Sequence, residues 1–202
     1  MRNKSALAVS YFFAMTMIIA SSCKKDDKPE EEIPLTATEV KSFAADPTAN
    51  DNHYAFYSLE TGKEIAVSDS ASSKWDIAFR STTIITNGGA SGPGAGGAFV
   101  QRATSFDSYA AIAADSAFHT DNAPAYAVPT GSGNGWYNYD FTTNIISSIP
   151  GNFIVLRTAS GKYAKLEILS YYKGAPATPV ADDVARYYTF RFIYQPDGSK
   201  SF

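Results

Sequence analysis

Apolar and polar residues alternate over short stretches of the chain, which is the period of a β-strand. The clearest case begins at Trp75, where Trp75, Ile77 and Phe79 alternate with Asp76, Ala78 and Arg80. The alternation predicts a strand, or a pair of strands, over 75–86, with the two rings and Ile77 entering the core on one side.

Further strands with turn residues between them follow the same pattern. In the return strand of the hairpin at 153–172, the pattern predicts Ala164, Leu166 and Ile168 facing inward, with Lys165 and Glu167 facing outward. The remaining predicted strands and hairpins lie at 53–67, 98–102 and 187–195.

Other parts of the chain interrupt this pattern. Apolar residues recur at helical spacing within 105–118, which predicts a short helix. Residues 119–135 contain prolines and glycines and predict a long irregular loop, and residues 173–184 predict a connector. The fold class is therefore predicted as all-β, a mostly antiparallel sheet or sandwich with one or two short helices.

A glycine-rich loop follows the strand at 75–86, beginning with an Asn-Gly-Gly turn at 87–89. Glycine is needed where φ is positive or where backbones approach closely. The loop has no GK[ST] sequence and does not lead into a helix, so it is not a phosphate-binding loop. Its expected role is structural, allowing neighbouring backbones to pass closely.

Composition fits an ordinary globular domain rich in strands. The chain has 202 residues, 14% of them aromatic, and a formal net charge of −3 at neutral pH. The length suits one domain with processing segments. This charge points neither to nucleic acid nor to an anionic membrane surface as a partner.

The N-terminus has the layout of an exported lipoprotein. Two basic residues precede an apolar run at 6–20 that is short for a membrane span, and Cys23, the only cysteine, follows directly. We interpret 1–22 as a lipoprotein signal peptide and Cys23 as the lipidated residue, the alternative being an ordinary signal peptide with an incidental cysteine. Residues 23–36 predict a flexible acidic tether, with a start that resembles cell-surface tags of Bacteroidetes lipoproteins; a plain charged spacer remains open.

Few residues could support catalysis. No G-x-S-x-G elbow is present, and His53 and His119 are the only histidines. His53 begins a strand, which favours an edge position, whereas His119 lies in the long loop, where a neutral imidazole could bind a metal or haem iron or simply face solvent. The aromatics Trp136 and Tyr137 could line a flat apolar ligand or belong to the core. The chain is not predicted to be an enzyme.

Several blocks of sequence resemble the HmuY family, haem-binding lipoproteins of Bacteroidetes, and the resemblance extends over essentially all of 37–202. The blocks, in chain order, are YAFYSLETGKEIAV (54–67), WDIAFRSTTIITNGGASGPGAGGA (75–98), WYNYD (136–140), RTASGKYAKLEILSYY (157–172) and YYTFRFIYQPDGS (187–199). The resemblance implies an all-β domain over 37–202 and a pocket in which two axial side chains hold haem.

The resemblance also implies where the haem ligands would lie. His119 occupies the loop that carries one family ligand, and Asn144 stands where the second histidine is expected. An amide is a poor iron ligand. Haem would therefore be held by His119 alone or with a phenol, from Tyr126 or Tyr137, and Trp136 would line the same pocket.

The function that the resemblance implies is capture of haem, or another porphyrin, at the cell surface. The lipid on Cys23 would be the membrane attachment, at the outer membrane, and a TonB-dependent outer-membrane receptor would accept the haem. Because Asn144 replaces the second axial histidine, the alternative is a lipoprotein on the same fold that binds a non-haem ligand or acts as a scaffold.

Overall fold

The computed structural model describes residues 35–46, 52–114 and 116–202, and its regular structure is almost entirely β-strand. Within these residues no helix is long and apolar enough to cross a membrane, and the one helical element is a 3₁₀ turn at Val67–Asp69. The strands are β1 (Thr38–Ala44), β2 (Ala55–Ser58), β3 (Lys63–Ile65), β4 (Ile77–Arg80), β5 (Thr83–Thr86), β6 (Gly97–Gln101), β7 (Tyr137–Asp140), β8 (Ile145–Ser148), β9 (Phe153–Arg157), β10 (Tyr163–Tyr172) and β11 (Ala185–Gln195).

The strands form two main antiparallel sheets and a separate hairpin. The larger sheet has the order β1-β11-β10-β9-β6, the smaller one the order β3-β2-β4-β5, and β7 pairs only with β8. Every strand pair is antiparallel. The all-β, mostly antiparallel fold class is confirmed, and so are the predicted hairpins at 53–67 and 153–172.

Aromatic rings fill the core between the two sheets. Phe79 of β4 stacks on Phe190 of β11 at 5.3 Å between ring centroids and lies 4.8 Å from Tyr188. Phe43 and Tyr57 meet the same cluster edge-on. Such pairs add about 0.5–1.5 kcal/mol each beyond the burial of their area. The alternation in β4 and β11 therefore produces the sandwich by placing these rings on facing sides.

Trp75 does not share the side of Ile77 and Phe79, which corrects the prediction for this strand. It is fully buried in a second cluster with Phe56 and Ala78, and its indole N–H donates to the carbonyl of Ser70 at 2.8 Å. Because β4 begins at Ile77, Trp75 lies before the regular alternation. Both faces of β4 are consequently buried.

The predicted helix at 105–118 is not formed in its described residues, 105–114 and 116–118. Instead this segment pairs with the C-terminus. The N–H of Ile112 donates to the carbonyl of Lys200 at 2.8 Å, and the N–H of Phe202 donates to that of Ala110 at 2.7 Å. These long-range bonds extend the chain at 110–112, and only a single turn precedes them, in which the N–H of Tyr109 donates to the carbonyl of Ser105 at 3.2 Å.

Lys165 is buried under this segment, contrary to the prediction that it faces solvent. Its side chain is on the outer face of β10, but only 2% of the residue is exposed. The ammonium donates to the carbonyls of Phe106 and Tyr109, each at 2.7 Å, and lies 5.2 Å from the ring centre of Phe202. Burial lowers the pKa of Lys165. The covering segment thus supplies the partners that bulk water would otherwise provide.

The glycine loop has the structural role predicted for it. A Cβ on Gly94 would lie 2.6 Å from the carbonyl oxygen of Asn87 and 2.8 Å from the Cβ of Ala159. The carbonyl of Asn87 also accepts a hydrogen bond of 2.8 Å from the N–H of Gly96. The loop therefore packs backbone against backbone.

The predicted signal peptide at 1–22 and the lipidated Cys23 lie outside the described residues. The same is true of the tether at 23–36 except for its last two residues. These interpretations stay predictions.

Candidate functional site

His119 begins the long loop and lies beside the edge strand β6. Its N–H donates to the carbonyl of Ala98 at 3.0 Å, and the N–H of Ala98 donates back at 2.9 Å. The imidazole is exposed. Because His119 lies opposite Ala98, the imidazole shares the sheet face of Ala98, and the ring of Phe118 takes the other face, 5.2 Å from Phe99. The backbone of His119 is therefore fixed while its side chain is available.

Asp121 holds the loop that follows His119. Its buried carboxylate accepts hydrogen bonds from the N–H groups of Thr86 and Ala127, each at 2.8 Å, and its carbonyl accepts one from Ala90 at 2.7 Å. The sequence gives little signal for this role, because an Asp-Asn pair in a loop is also typical of an exposed turn. The anchor ties the loop to β5 and to the glycine loop.

Asn144 lies in the turn between β7 and β8, where its φ is +59°. Asparagine tolerates this left-handed conformation better than most residues. Its amide oxygen accepts a hydrogen bond of 2.6 Å from the hydroxyl of Tyr139. The side chain therefore closes the turn of this hairpin.

The three aromatic candidates do not gather around His119. Trp136 and Tyr137 are in contact, at 4.9 Å between ring centroids, but both are buried in the core between the sheets. The indole N–H of Trp136 donates to the carbonyl of Thr82 at 3.0 Å. Tyr126 is half-buried against the cluster that contains Trp75. Their positions indicate packing for all three.

His119 and Asn144 lie toward opposite ends of the larger sheet. His119 is next to Ala98, which aligns through β9 with Ala164 near the start of β10. The hairpin of Asn144 contacts the other end of β10, where the hydroxyl of Tyr172 accepts a hydrogen bond of 2.9 Å from the N–H of Ile146. From Ala164 to Tyr172 a strand extends about 26 Å. The structure does not bring these two predicted site residues together.

A cleft of about 570 Å³ opens beside the hairpin of Asn144. This volume lies in the range of small-molecule sites, about 300–1,000 Å³. A smaller cavity of about 170 Å³ adjoins it between β8 and β10 and shares Ser147, Ala177 and Pro179. The residues lining the larger cleft are Asp140, Thr143, Ile145, Ser147, Ala177, Thr178, Pro179, Val180 and Ala181.

The ligand chemistry of haem gives a direct test of these positions. Haem iron in proteins is held by histidine, cysteine, methionine or tyrosine. None of these residues lines the larger cleft, and in the smaller cavity the Tyr172 hydroxyl is bonded to Ile146 and that of Tyr171 lies 3.5 Å from Ser81 Oγ. The described residues also contain no group of three or more His, Cys, Asp or Glu placed to bind a metal. Of the two predicted axial positions, His119 offers an exposed residue whose side chain can hold haem iron, whereas the Asn144 amide cannot and is bonded to Tyr139.

Comparison with known proteins places this fold in a family. The family model described as HmuY protein matches residues 50–192. The chain belongs to the HmuY family. A crystal structure of an HmuY-like haem-binding protein from Bacteroides vulgatus ATCC 8482 aligns with a TM-score of 0.52 at 19% identity, covering 78% of this chain and 91% of that one. The likeness shows that the HmuY fold is shared.

Other solved structures align less closely with this HmuY family member. A lipoprotein from Bacteroides fragilis NCTC 9343 has a TM-score of 0.49 at 16% identity, covering 79% of this chain and 90% of that one. The apo HmuY analogue of Tannerella forsythia has a TM-score of 0.47 at 12% identity, covering 81% and 96%. No curated protein matches the sequence.

Proposed function

We propose that this HmuY family member is a haem- or porphyrin-binding lipoprotein of the outer membrane, without enzymatic activity. The observation that carries the proposal is the family match over residues 50–192. His119 is the residue that would contact the iron, because its imidazole is exposed and its backbone is fixed by β6. His119 would hold the iron of haem bound there.

Lipidation of Cys23 would keep the domain at the cell surface, with residues 23–36 as its tether. Holding the iron through one imidazole, that of His119, would suit transient capture. The proposed acceptor is a TonB-dependent outer-membrane receptor. The domain would then collect haem and pass it on to that receptor.

A haemin titration tests the proposal. The chain from residue 23 with Cys23→Ser keeps every residue that the structure describes, and added haemin should shift its Soret band at micromolar concentration. His119→Ala should weaken this binding at least tenfold, and His53→Ala, the matched control with the other histidine removed, should leave it unchanged. Absence of any spectral change in the parent chain would refute haem binding.

A second candidate function is binding of a non-haem ligand on the same fold. The cleft of about 570 Å³ favours it, because this cleft has the size of a ligand site but no residue that holds haem iron. Under this function His119→Ala would be silent. Native mass spectrometry of the protein from its own cells should then show a bound small molecule of constant mass.

A further inference from the structure

The cleft beside Asn144 lies between two walls, one of which is bonded to the larger sheet. The β7–β8 hairpin forms one wall, and the hydrogen bonds from Ile146 to Tyr172 and from Tyr139 to Asn144 fix its position and its turn. Residues 177–181 form the other wall. There the N–H of Val180 donates to the carboxylate of Asp183 at 2.8 Å. The second wall is therefore shaped by a turn within the connector, whereas the hairpin wall is held by β10.

The lining of the cleft is largely aliphatic, with hydroxyl groups at Thr143, Ser147 and Thr178. Val180, one of the lining residues, is 56% exposed. Concave sites for small molecules are lined mostly by apolar side chains with a few polar groups. The cleft therefore suits a ligand with an apolar body.

The charge at the cleft is negative. Asp140 is the one ionisable residue of its lining, and Asp182 and Asp183 follow the second wall directly in the chain. The N–H of Thr142 donates to Oδ1 of Asp140 at 2.8 Å and lowers the pKa of that carboxyl group, so it is ionised at neutral pH. Oδ1 also accepts a longer hydrogen bond, at 3.4 Å, from the N–H of Thr143. The Asp140 residue is exposed and lines the cleft, so its carboxylate can face a ligand there.

Among the described residues, none that lines either cavity is a Lys or Arg that could balance this charge. The nearest basic residues along the chain are engaged elsewhere: Lys173 lies 5.3 Å from the ring centre of Tyr187, and Arg186 pairs with Asp46 at 3.7 Å. A ligand with carboxylates, as haem has, would meet only repulsion in this cleft. A positively charged ligand would meet attraction.

We propose that the cleft between the β7–β8 hairpin and residues 177–181 binds an apolar small molecule carrying a positive charge, with Asp140 as its counter-ion. This inference deepens the second candidate function, because it names the site and the ligand class. It is independent of His119, which lies toward the other end of the sheet. A protein with both sites would bind haem and this cation at the same time.

Two rigid three-ring fluorophores of opposite charge test the proposal. Proflavine is a cation at neutral pH and anthracene carboxylate is an anion, and fluorescence anisotropy measures the binding of each to the Cys23→Ser chain. Proflavine should bind at least tenfold more tightly. Asp140→Asn should weaken proflavine about fivefold, the scale of one exposed ion pair. Asp197→Asn, a matched exposed carboxylate that also accepts a backbone N–H, at 2.6 Å, should have no effect.

Blocking variants locate the binding. Ala177→Trp and Ser147→Trp fill the cleft from opposite walls, and both positions are exposed, so each variant should fold and lose proflavine binding. Anthracene carboxylate binding as tightly as proflavine, or proflavine binding unchanged in both Trp variants, would overturn the proposal. Haemin should not displace proflavine. The haemin titration can fail or succeed without affecting this result, so the two functions are tested separately.

Discussion

Removing the carboxylate of Asp121 should destabilise the domain and release the loop that carries His119. In the folded protein this carboxylate accepts hydrogen bonds from the N–H groups of Thr86 and Ala127, and only 1% of the residue is exposed. Hydrogen bonds to charged groups contribute about 1.5–3 kcal/mol each. Asp121→Ala should therefore lower the free energy of unfolding by about 3–6 kcal/mol. For a domain of this size each kcal/mol lowers Tm by about 2–4 °C.

Chemical denaturation gives the free energy, and amide hydrogen exchange gives the location. The amides of Thr86 and Ala127 should exchange faster in Asp121→Ala even where the domain stays folded. Asp121→Asn keeps one acceptor oxygen but turns its NH2 group toward the other N–H, so it should also destabilise the domain by more than about 1 kcal/mol. Thr120→Ala, a change at the exposed neighbour, should stay within about 0.5 kcal/mol of the parent. A decrease in the free energy of unfolding of less than about 1 kcal/mol in Asp121→Ala would refute the claim that the Asp121 carboxylate anchors the loop.

Two further predictions concern the core of the fold. Gly94→Ala should destabilise the domain by more than Gly161→Ala in denaturation, because the added methyl group meets Asn87 and Ala159, whereas at Gly161 no atom lies within 4 Å and only the positive φ is strained; equal losses would contradict this packing. Burial lowers the pKa of Lys165 below its ordinary value of 10.5. Between these two pKa values the unfolded chain keeps a proton that the folded chain has released. The stability of the parent protein relative to Lys165→Met should therefore rise as the pH approaches 10.5. A difference that does not change with pH would show that the ammonium is not desolvated.

Most strands were predictable because their information is local, whereas β1 and the β7–β8 hairpin lie outside the predicted strand segments. Alternation at 187–195 places Tyr188, Phe190 and Phe192 on one side, and in the structure all of them are buried in the core between the sheets. The turn residues at 159–161 likewise predict the hairpin between β9 and β10. A period of two residues and a glycine in a turn need no knowledge of distant parts of the chain.

The predictions that were wrong depend on contacts with residues far away in the sequence. Lys165 is polar in an outward position, and only the segment at 105–114 and the C-terminal residues make that position buried. The same pairing prevents the predicted helix. Trp75 was predicted to belong to the alternating strand, but β4 begins two residues later, at Ile77. Contacts of this kind arise from tertiary structure, and local hydrophobic periodicity does not predict them.

The candidate site was predictable in part. The choice of His119 as the candidate ligand follows from the sequence, because the chain has only one other histidine and the prolines and glycines of 119–135 predict a loop there. The separation of His119 from Asn144 cannot be predicted from the sequence, because it depends on the register of β6, β9 and β10 in the larger sheet. The cleft at residues 177–181 was also not predictable, since a connector rich in proline and alanine contains no motif that indicates a binding site.

The central claim is that His119 contacts haem iron, and comparing haemin with protoporphyrin IX tests it most directly. The two molecules share their ring and carboxylates and differ in the iron. In the parent chain haemin should bind at least tenfold more tightly, and in His119→Ala this advantage should disappear while protoporphyrin IX binding stays the same. An advantage of haemin that is equally large in both proteins would contradict the claim.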